Sequence, residues 1–273
     1  MNLVDTHCHV QSAGLAAGER GTRELWAKDP SLTGATLVDR AAAEGVTRLM
    51  VVGCDIADSQ LAVDFVQQHD QAWASIGIHP HEAAATLEAG DAALKTFTDL
   101  LQQPKVQAIG ECGLDFFYNH SPKAEQLKIL QFQLELAAKY DKPVIFHVRE
   151  AFDDFWPIFD KFSQGSIRGV LHSFTDSREN LDIALEKGLY IGVNGIVTFA
   201  KSEAQLAMYK AIPLERLLLE TDAPFLTPTP FRGTINEPKQ IRIIAEFLAK
   251  LRGEDLALLA QTTTANACKL FGI

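Results

Sequence analysis

Six side chains of the kinds that bind divalent metals through nitrogen or oxygen follow short apolar runs in this sequence: His7, His9, Glu111, His147, His172 and Asp222. The first two belong to Val4-Asp5-Thr6-His7-Cys8-His9. Leu3, Val4 and Thr6 suit a strand, and period-two alternation then places Asp5, His7 and His9 on one side and Cys8 on the other. The two imidazoles lie roughly 6.5 to 7 Å apart by strand rise, a separation from which both rings can lean onto a single cation. Alone, a His-x-His pair reads equally well as two hydrogen-bonded polar side chains at a strand end. The other four residues tip the balance, because each offers a further ligand at the end of an expected strand.

Four histidines and two carboxylates exceed what one ion needs, so the set predicts two divalent metal ions. Glu111 is the expected bridge, since a carboxylate has two oxygens to share. His7, His9 and Asp222 complete one site in this reading, and His147 and His172 the other. Mixed nitrogen and oxygen ligands suit zinc, magnesium or manganese. A metal-bound hydroxide is the expected nucleophile, and Asp222 the group that orients or deprotonates it, which makes Asp222 and Glu111 the candidate catalytic carboxylates.

Bringing residues from such distant segments to one rim calls for a repeating scaffold. After the opening strand, residues 11–32 read as a loop or short helical piece. Apolar runs at 48–52, 73–78, 106–109, 143–146, 169–171, 189–193 and 217–219 read as further strands. Helical stretches are expected at 33–44, 57–69, 91–102, 122–140, 153–162, 178–187 and 203–211, with closing helices at 235–252 and 254–271. Near-continuous apolar strands alternating with amphipathic helices imply a parallel sheet covered by helices. Eight such units within 273 residues point to an α/β fold, a (β/α)8 TIM barrel forming a single domain over residues 1–273. No Gly-x-Gly-x-x-Gly turn follows any strand, which argues against an open doubly wound sheet. In a barrel the C-terminal strand ends converge on one mouth, and the six candidate ligands fall there.

The bulk properties narrow the chemistry. The chain is 47% hydrophobic and 22% charged, an ordinary globular composition. No basic segment followed by an apolar run opens it, and it contains no long apolar stretch, so a cytoplasmic protein without a membrane span is expected. The four cysteines, Cys8, Cys54, Cys112 and Cys268, are scattered without C-x-x-C spacing and read as reduced thiols. A net charge of −10 excludes wrapping of a duplex by counterion release. A small anionic group held in a local pocket remains compatible, because bound cations reverse the sign of the field there.

Asp5-Thr6-His7-Cys8-His9, Gly77-Ile78-His79-Pro80, Ile109-Gly110-Glu111-Cys112-Gly113-Leu114-Asp115, His172-Ser173-Phe174-Thr175, Glu220-Thr221-Asp222-Ala223-Pro224 and Arg232-Gly233 with Asn236-Glu237-Pro238 resemble the signature stretches of TatD-type metal-dependent deoxyribonucleases. They occur in the family's order over nearly the whole chain. The resemblance implies an amidohydrolase-like barrel, two divalent metals, and cleavage of phosphodiester or other ester bonds. Glu111, where some relatives use a carboxylated lysine, agrees with the nuclease branch. Ser173 stands where the family often has cysteine, and Thr234-Ile235 where it carries a more basic pair.

Further residues complete the expectation. His79, beside Pro80, is a candidate substrate contact, as is Arg149, which shares the parity of His147 and could fork onto a phosphate oxygen. For Arg149 a helix-cap ion pair with Glu150 or Asp153 fits equally. Asp5, Asp115 and Glu220 are candidates to hold the imidazoles or a water, with a buried structural hydrogen bond as the alternative for Asp5. His69 and His120 read as solvated. The leading reading is a metal-dependent nuclease or phosphodiesterase, monomeric, acting on nucleic-acid ends, short single strands or small phosphoesters rather than long duplexes. The alternative is a carboxylic-ester or amide hydrolase on the same barrel, such as an aminoacyl-tRNA deacylase.

Overall fold

The computed structural model describes residues 1–16, 18, 21–163 and 167–273. Its strands are β1 (Leu3–Cys8), β2 (Val46–Val52), β3 (Ala72–Ile76), β4 (Val106–Asp115), β5 (Val144–Arg149), β6 (Gly169–Leu171), β7 (Tyr190–Val193) and β8 (Leu217–Leu219). They form one sheet in chain order from β1 to β8. Pairing is parallel at β1–β2, β3–β4, β4–β5, β5–β6 and β7–β8. A parallel bridge between Cys8 and Ala223 joins the end of β1 to the segment following β8. This strand order, with helices between the strands, is the connectivity of a (β/α)8 barrel.

The helices are α1 (Thr22–Trp26), α2 (Gly34–Ala43), α3 (Ile56–Gln68), α4 (Ala83–Ala89), α5 (Asp91–Leu100) and α6 (Lys123–Tyr140). Then come α7 (Phe152–Ser163), α8 (Arg178–Glu186), α9 (Glu203–Ala211), α10 (Ile241–Arg252) and α11 (Leu256–Phe271). Local chemistry sets their ends. Thr33 and Thr36 close a capping box at the start of α2, Asp55 caps α3 and Asp255 caps α11, each supplying an acceptor to an otherwise orphaned first-turn N–H. Gly253, left-handed at φ 68°, ends α10. The segment expected as a loop or short helix holds a turn of 3-10 helix at Val10–Ser12 and α1, while residues 17, 19 and 20 of it lie outside the described residues.

Two boundaries differ from the sequence reading in ways that matter for the site. The strand expected over 106–109 continues through ten residues to Asp115, so Glu111 sits within β4 rather than beyond it. Glu111, Gly113 and Asp115 carry little strand propensity, but Cys112, Gly113, Leu114 and Asp115 pair in register with Phe146, His147, Val148 and Arg149. Tertiary pairing overrides local preference here. The helix expected from 235 begins at Ile241, because Asn236 is committed to holding the chain after β8: its Nδ2 donates to the carbonyls of Thr221 and Phe225 at 2.9 and 2.6 Å.

Backbone contacts divide the chain into two compact units, one comprising Met1–Val51, Ser173–Leu181 and Ile191–Ile273, the other Val52–His172 and Asp182–Tyr190. In the first, α10 and α11 pack on β1 and β8. Leu3, Leu217, Ile244 and Leu259 are fully buried there. In the second, Phe146 of β5 meets Phe155 and Phe159 of α7 with ring centroids 5.1 and 5.8 Å away. Each such buried side chain contributes about 1.5–3 kcal/mol.

Helix α6 does more than cover the sheet. Gln133 accepts from the N–H of Ile78 at 2.8 Å and donates to its carbonyl at 3.0 Å. Gln126, two turns earlier on the same face, treats Asp115 alike at 2.8 and 3.1 Å, and also donates to Ser121. Both amides are wholly buried. They satisfy backbone groups where β3 and β4 run out of strand partners, next to His79 and Asp115. Gln126→Ala and Gln133→Ala are each expected to lower stability by about 1–3 kcal/mol, since each leaves buried backbone groups unpaired; denaturant unfolding of the two variants measures it.

Candidate metal centre

In the first unit the opening motif behaves as alternation requires. His7 and His9 are buried, and their Nε2 atoms lie 3.3 Å apart. Asp222 Oδ1 is 3.3 Å from His9 Nε2 and 3.8 Å from His7 Nε2. Asp222 follows β8 with φ 59°, a left-handed conformation that aspartate tolerates better than most residues. Its N–H donates to the His7 carbonyl at 2.9 Å, and the N–H of His9 donates to Ala223 O at 2.8 Å. Strand pairing thus places the carboxylate beside both rings.

Among the described residues Asp5 meets backbone and hydroxyl groups rather than an imidazole ring. Its carboxylate accepts from the backbone N–H of Thr221 at 2.9 Å and of His7 at 3.2 Å, and meets Thr221 Oγ1 at 2.6 Å. It fastens the turn bearing Asp222 to β1. Burial pushes the Asp5 carboxyl up to about 8 despite those bonds. Glu220, also buried, accepts from Ser173 N–H at 2.6 Å. That bond anchors the residue next in chain to His172.

The second unit holds a denser cluster. His147 donates or accepts at both ring nitrogens, with Nδ1 2.7 Å from Glu111 Oε1 and Nε2 3.0 Å from Asp115 Oδ2. His172 Nε2 and His79 Nε2 each lie 3.8 Å from Glu111 Oε1. One ligand atom from each of His79, Glu111 and His147 lies within 4.8 Å of the others. His79, expected as a substrate contact, therefore stands inside the donor cluster. Asp115 also receives His81 Nε2 at 3.1 Å.

Two glycines make this approach possible. A Cβ on Gly77 would overlap the backbone of Gly110 and Glu111, and one on Gly113, at φ 154°, would collide with the His147 carbonyl. Only glycine lets β4 lie this close to its neighbours on either side of Glu111.

The electrostatics follow from the contacts. Burial alone would lower the His147 pKa, but hydrogen bonds to Asp115 and Glu111 outweigh it and raise the value to about 9. Burial would raise Asp115, yet bonds from His147, His81 and the Tyr118 N–H hold it well below the usual carboxylate range. His79 is pushed well below the ordinary imidazole value by burial and by neighbouring His147. A neutral imidazole is the form that ligates a metal.

Several contributors escaped the sequence reading. His81 lies on Asp115, and Cys54 Sγ is 3.9 Å from Glu111 Oε2. His120, expected to be solvated, is exposed but packs its ring 4.6 Å from His81 and stacks on Tyr118. The H-P-H spacing of His79 and His81 was the available signal. Arg149 is exposed and lies over the rings of Phe117 and Tyr118, at 4.1 and 4.7 Å. The donor chemistry of both clusters, imidazole nitrogens converging on carboxylate oxygens, fits divalent cations.

Two outcomes follow. Asp115→Asn removes the acceptor that fixes His147 and is expected to weaken metal binding about 10–100-fold, measured by competition with a chelating dye. For the metal-free protein, His147 contributes stability that is fully present below about pH 6.5 and lost as pH rises through about 9. The raised Asp5 carboxyl acts in the same direction: its contribution is fully present below about pH 3.8, the ordinary value, and is lost progressively as pH rises to about 8. His79 titrates below this window and leaves it flat. The melting temperature in chelator is therefore expected to fall between pH 6.5 and 9, and added metal to restore it most strongly at the upper end.

The sequence matches the family described as TatD related DNase over residues 4–272. It is 38% identical over 271 residues to the uncharacterized metal-dependent hydrolase YabD of Bacillus subtilis, covering 99% of both chains. It is also 38% identical over 234 residues to the 3'-5' ssDNA/RNA exonuclease TatD of Escherichia coli, covering 84% of this chain and 89% of the relative. The structure superposes on that of the TatD homolog YJJV from Escherichia coli with a TM-score of 0.84 at 28% identity, over 99% and 98% of the two chains. A (β/α)8 chain with this match, these relatives and imidazole–carboxylate clusters along its strands is a metal-dependent hydrolase belonging to the TatD-related DNase family.

Proposed function

We propose that this protein is a phosphodiesterase that shortens single-stranded DNA or RNA from a 3′ end. The observation that carries the reading is the convergence, in each compact unit, of buried or half-buried imidazoles on a carboxylate: His7 and His9 on Asp222, and His79, His147 and His172 on Glu111. The names of curated relatives, which include 3'-5' ssDNA/RNA exonucleases, support the choice of substrate. The net charge of −10 favours ends and short strands over long duplexes.

In this proposal His7, His9 and Asp222 would hold one divalent ion, and Glu111, His147 and His172 a second. Bound ions of this kind polarise a phosphodiester and acidify water. Asp222 takes the proton of the attacking water. Asp115 keeps His147 oriented, Asp5 and Glu220 hold the turns that carry Asp222 and follow His172, and His79, at the edge of the Glu111 cluster, and Arg149 would contact the substrate. The whole of residues 1–273 acts as one catalytic domain, monomeric and cytoplasmic. Among the described residues no helix is long and apolar enough to cross a membrane.

The test is turnover of a 5′-labelled single-stranded oligonucleotide by protein stripped of metal and resupplied with Mg2+, Mn2+ or Zn2+. Progressive shortening from the 3′ end is expected, abolished by chelator, with kcat lowered about 10²–10⁴-fold in Asp222→Asn. Hydrolysis of aminoacyl esters with no turnover of any phosphodiester would overturn the proposal in favour of carboxylic-ester chemistry.

A further inference from the structure

The loop after β4 carries a feature that the ligand clusters do not use. Phe117 and Tyr118 are 50% and 52% exposed, uncommon for neighbouring large aromatic side chains. They are nonetheless fixed in place. Their backbone N–H groups both donate to Asp115 Oδ1, at 3.0 and 2.9 Å, and their rings meet edge to face with centroids 4.8 Å apart. Arg149, closing β5, lays its guanidinium 4.1 Å from the Phe117 centroid and 4.7 Å from that of Tyr118. His120 stacks on Tyr118 with the planes 4° apart. The other Asp115 oxygen bonds His147 and His81. One carboxylate thus sets both the donor cluster and the aromatic loop beside it.

We infer that Phe117, Tyr118 and Arg149 form a stacking platform for an unpaired nucleobase next to the bond that is cut. This rests on the nucleic-acid reading above and narrows it to strands whose terminal base is free of a duplex. Aromatic and guanidinium planes take any base by its π-face, at a cost in sequence selectivity but with little need for a wide basic surface. That suits a chain of net charge −10. The exposed edges, the orienting bonds from Asp115 and the adjacency to His147 through that same residue are what a base-holding surface beside a phosphodiester site requires.

The test uses metal-loaded protein and a single-stranded oligonucleotide with 2-aminopurine at its 3′ end and phosphorothioate terminal linkages, since this base loses fluorescence when stacked. Quenching is expected with the wild type, an affinity loss of about tenfold in Phe117→Ala and in Tyr118→Ala, and retention in Phe117→Trp. An otherwise identical oligonucleotide with an abasic 3′ terminus should respond to the alanine variants by less than about threefold. Equal losses on both oligonucleotides, absence of quenching in the wild type, or a loss of self-association in the variants with unchanged oligonucleotide binding would each overturn the platform. Hydrolysis of bis(4-nitrophenyl) phosphate, measured in parallel, separates the two claims. Wild-type turnover without quenching refutes the platform and leaves the phosphodiesterase; variant-sensitive quenching without any phosphodiester turnover supports the platform and removes the nuclease.

Discussion

The arrangement depends above all on one buried carboxylate. Asp115 is shielded from solvent and would be costly as an anion, but both of its oxygens are occupied: one by the imidazoles of His147 and His81, the other by the N–H groups of Phe117 and Tyr118. Gln126 secures its backbone on both sides. With Asp115 fixed, His147 has one ring nitrogen held and presents the other to Glu111 at 2.7 Å. The orientation of a ligand imidazole is normally set by the partner of its second nitrogen, and here that partner belongs to the same strand as the carboxylate it faces.

In the other unit the equivalent organiser is Asp5. It spends its oxygens on Thr221 and on the His7 backbone, tying the turn before Asp222 to the strand that carries both histidines. The two acids solve the same problem by different means. Asp115 grips a ring directly, whereas Asp5 grips the backbone from which the carboxylate projects. In each case a candidate ligand is positioned by an acid outside the proposed ligand set, which separates the demand for precise placement from the demand for free lone pairs.

The eight-strand pattern could be read from the chain, and six candidate metal-binding side chains singled out, because both rest on short-range signals. Apolar runs of strand length alternate with amphipathic stretches, and five of the eight expected strands carry the six candidate imidazoles and carboxylates at or after their ends. What could not be read depends on contacts far apart in sequence. The extension of β4 through Glu111 is dictated by its pairing with β5, not by its own residues. The roles of Gln126 and Gln133 are invisible in a helix whose exposed face also carries glutamine. The late start of α10 reflects Asn236 being engaged by carbonyls after β8. Arg149 shows the same limit: its engagement with Phe117 and Tyr118 arises from a loop of another strand and is not signalled by the parity it shares with His147.

The central claim is that these imidazoles and carboxylates exist to hold divalent ions. Anomalous diffraction from crystals soaked in Mn2+ or Zn2+ tests it most directly. The account predicts one peak within about 2.0–2.2 Å of His7 and His9 nitrogen and Asp222 oxygen, and another at the same range from Glu111, His147 and His172. Ions bound only at other residues, with these side chains keeping the hydrogen bonds they make to one another, would contradict it.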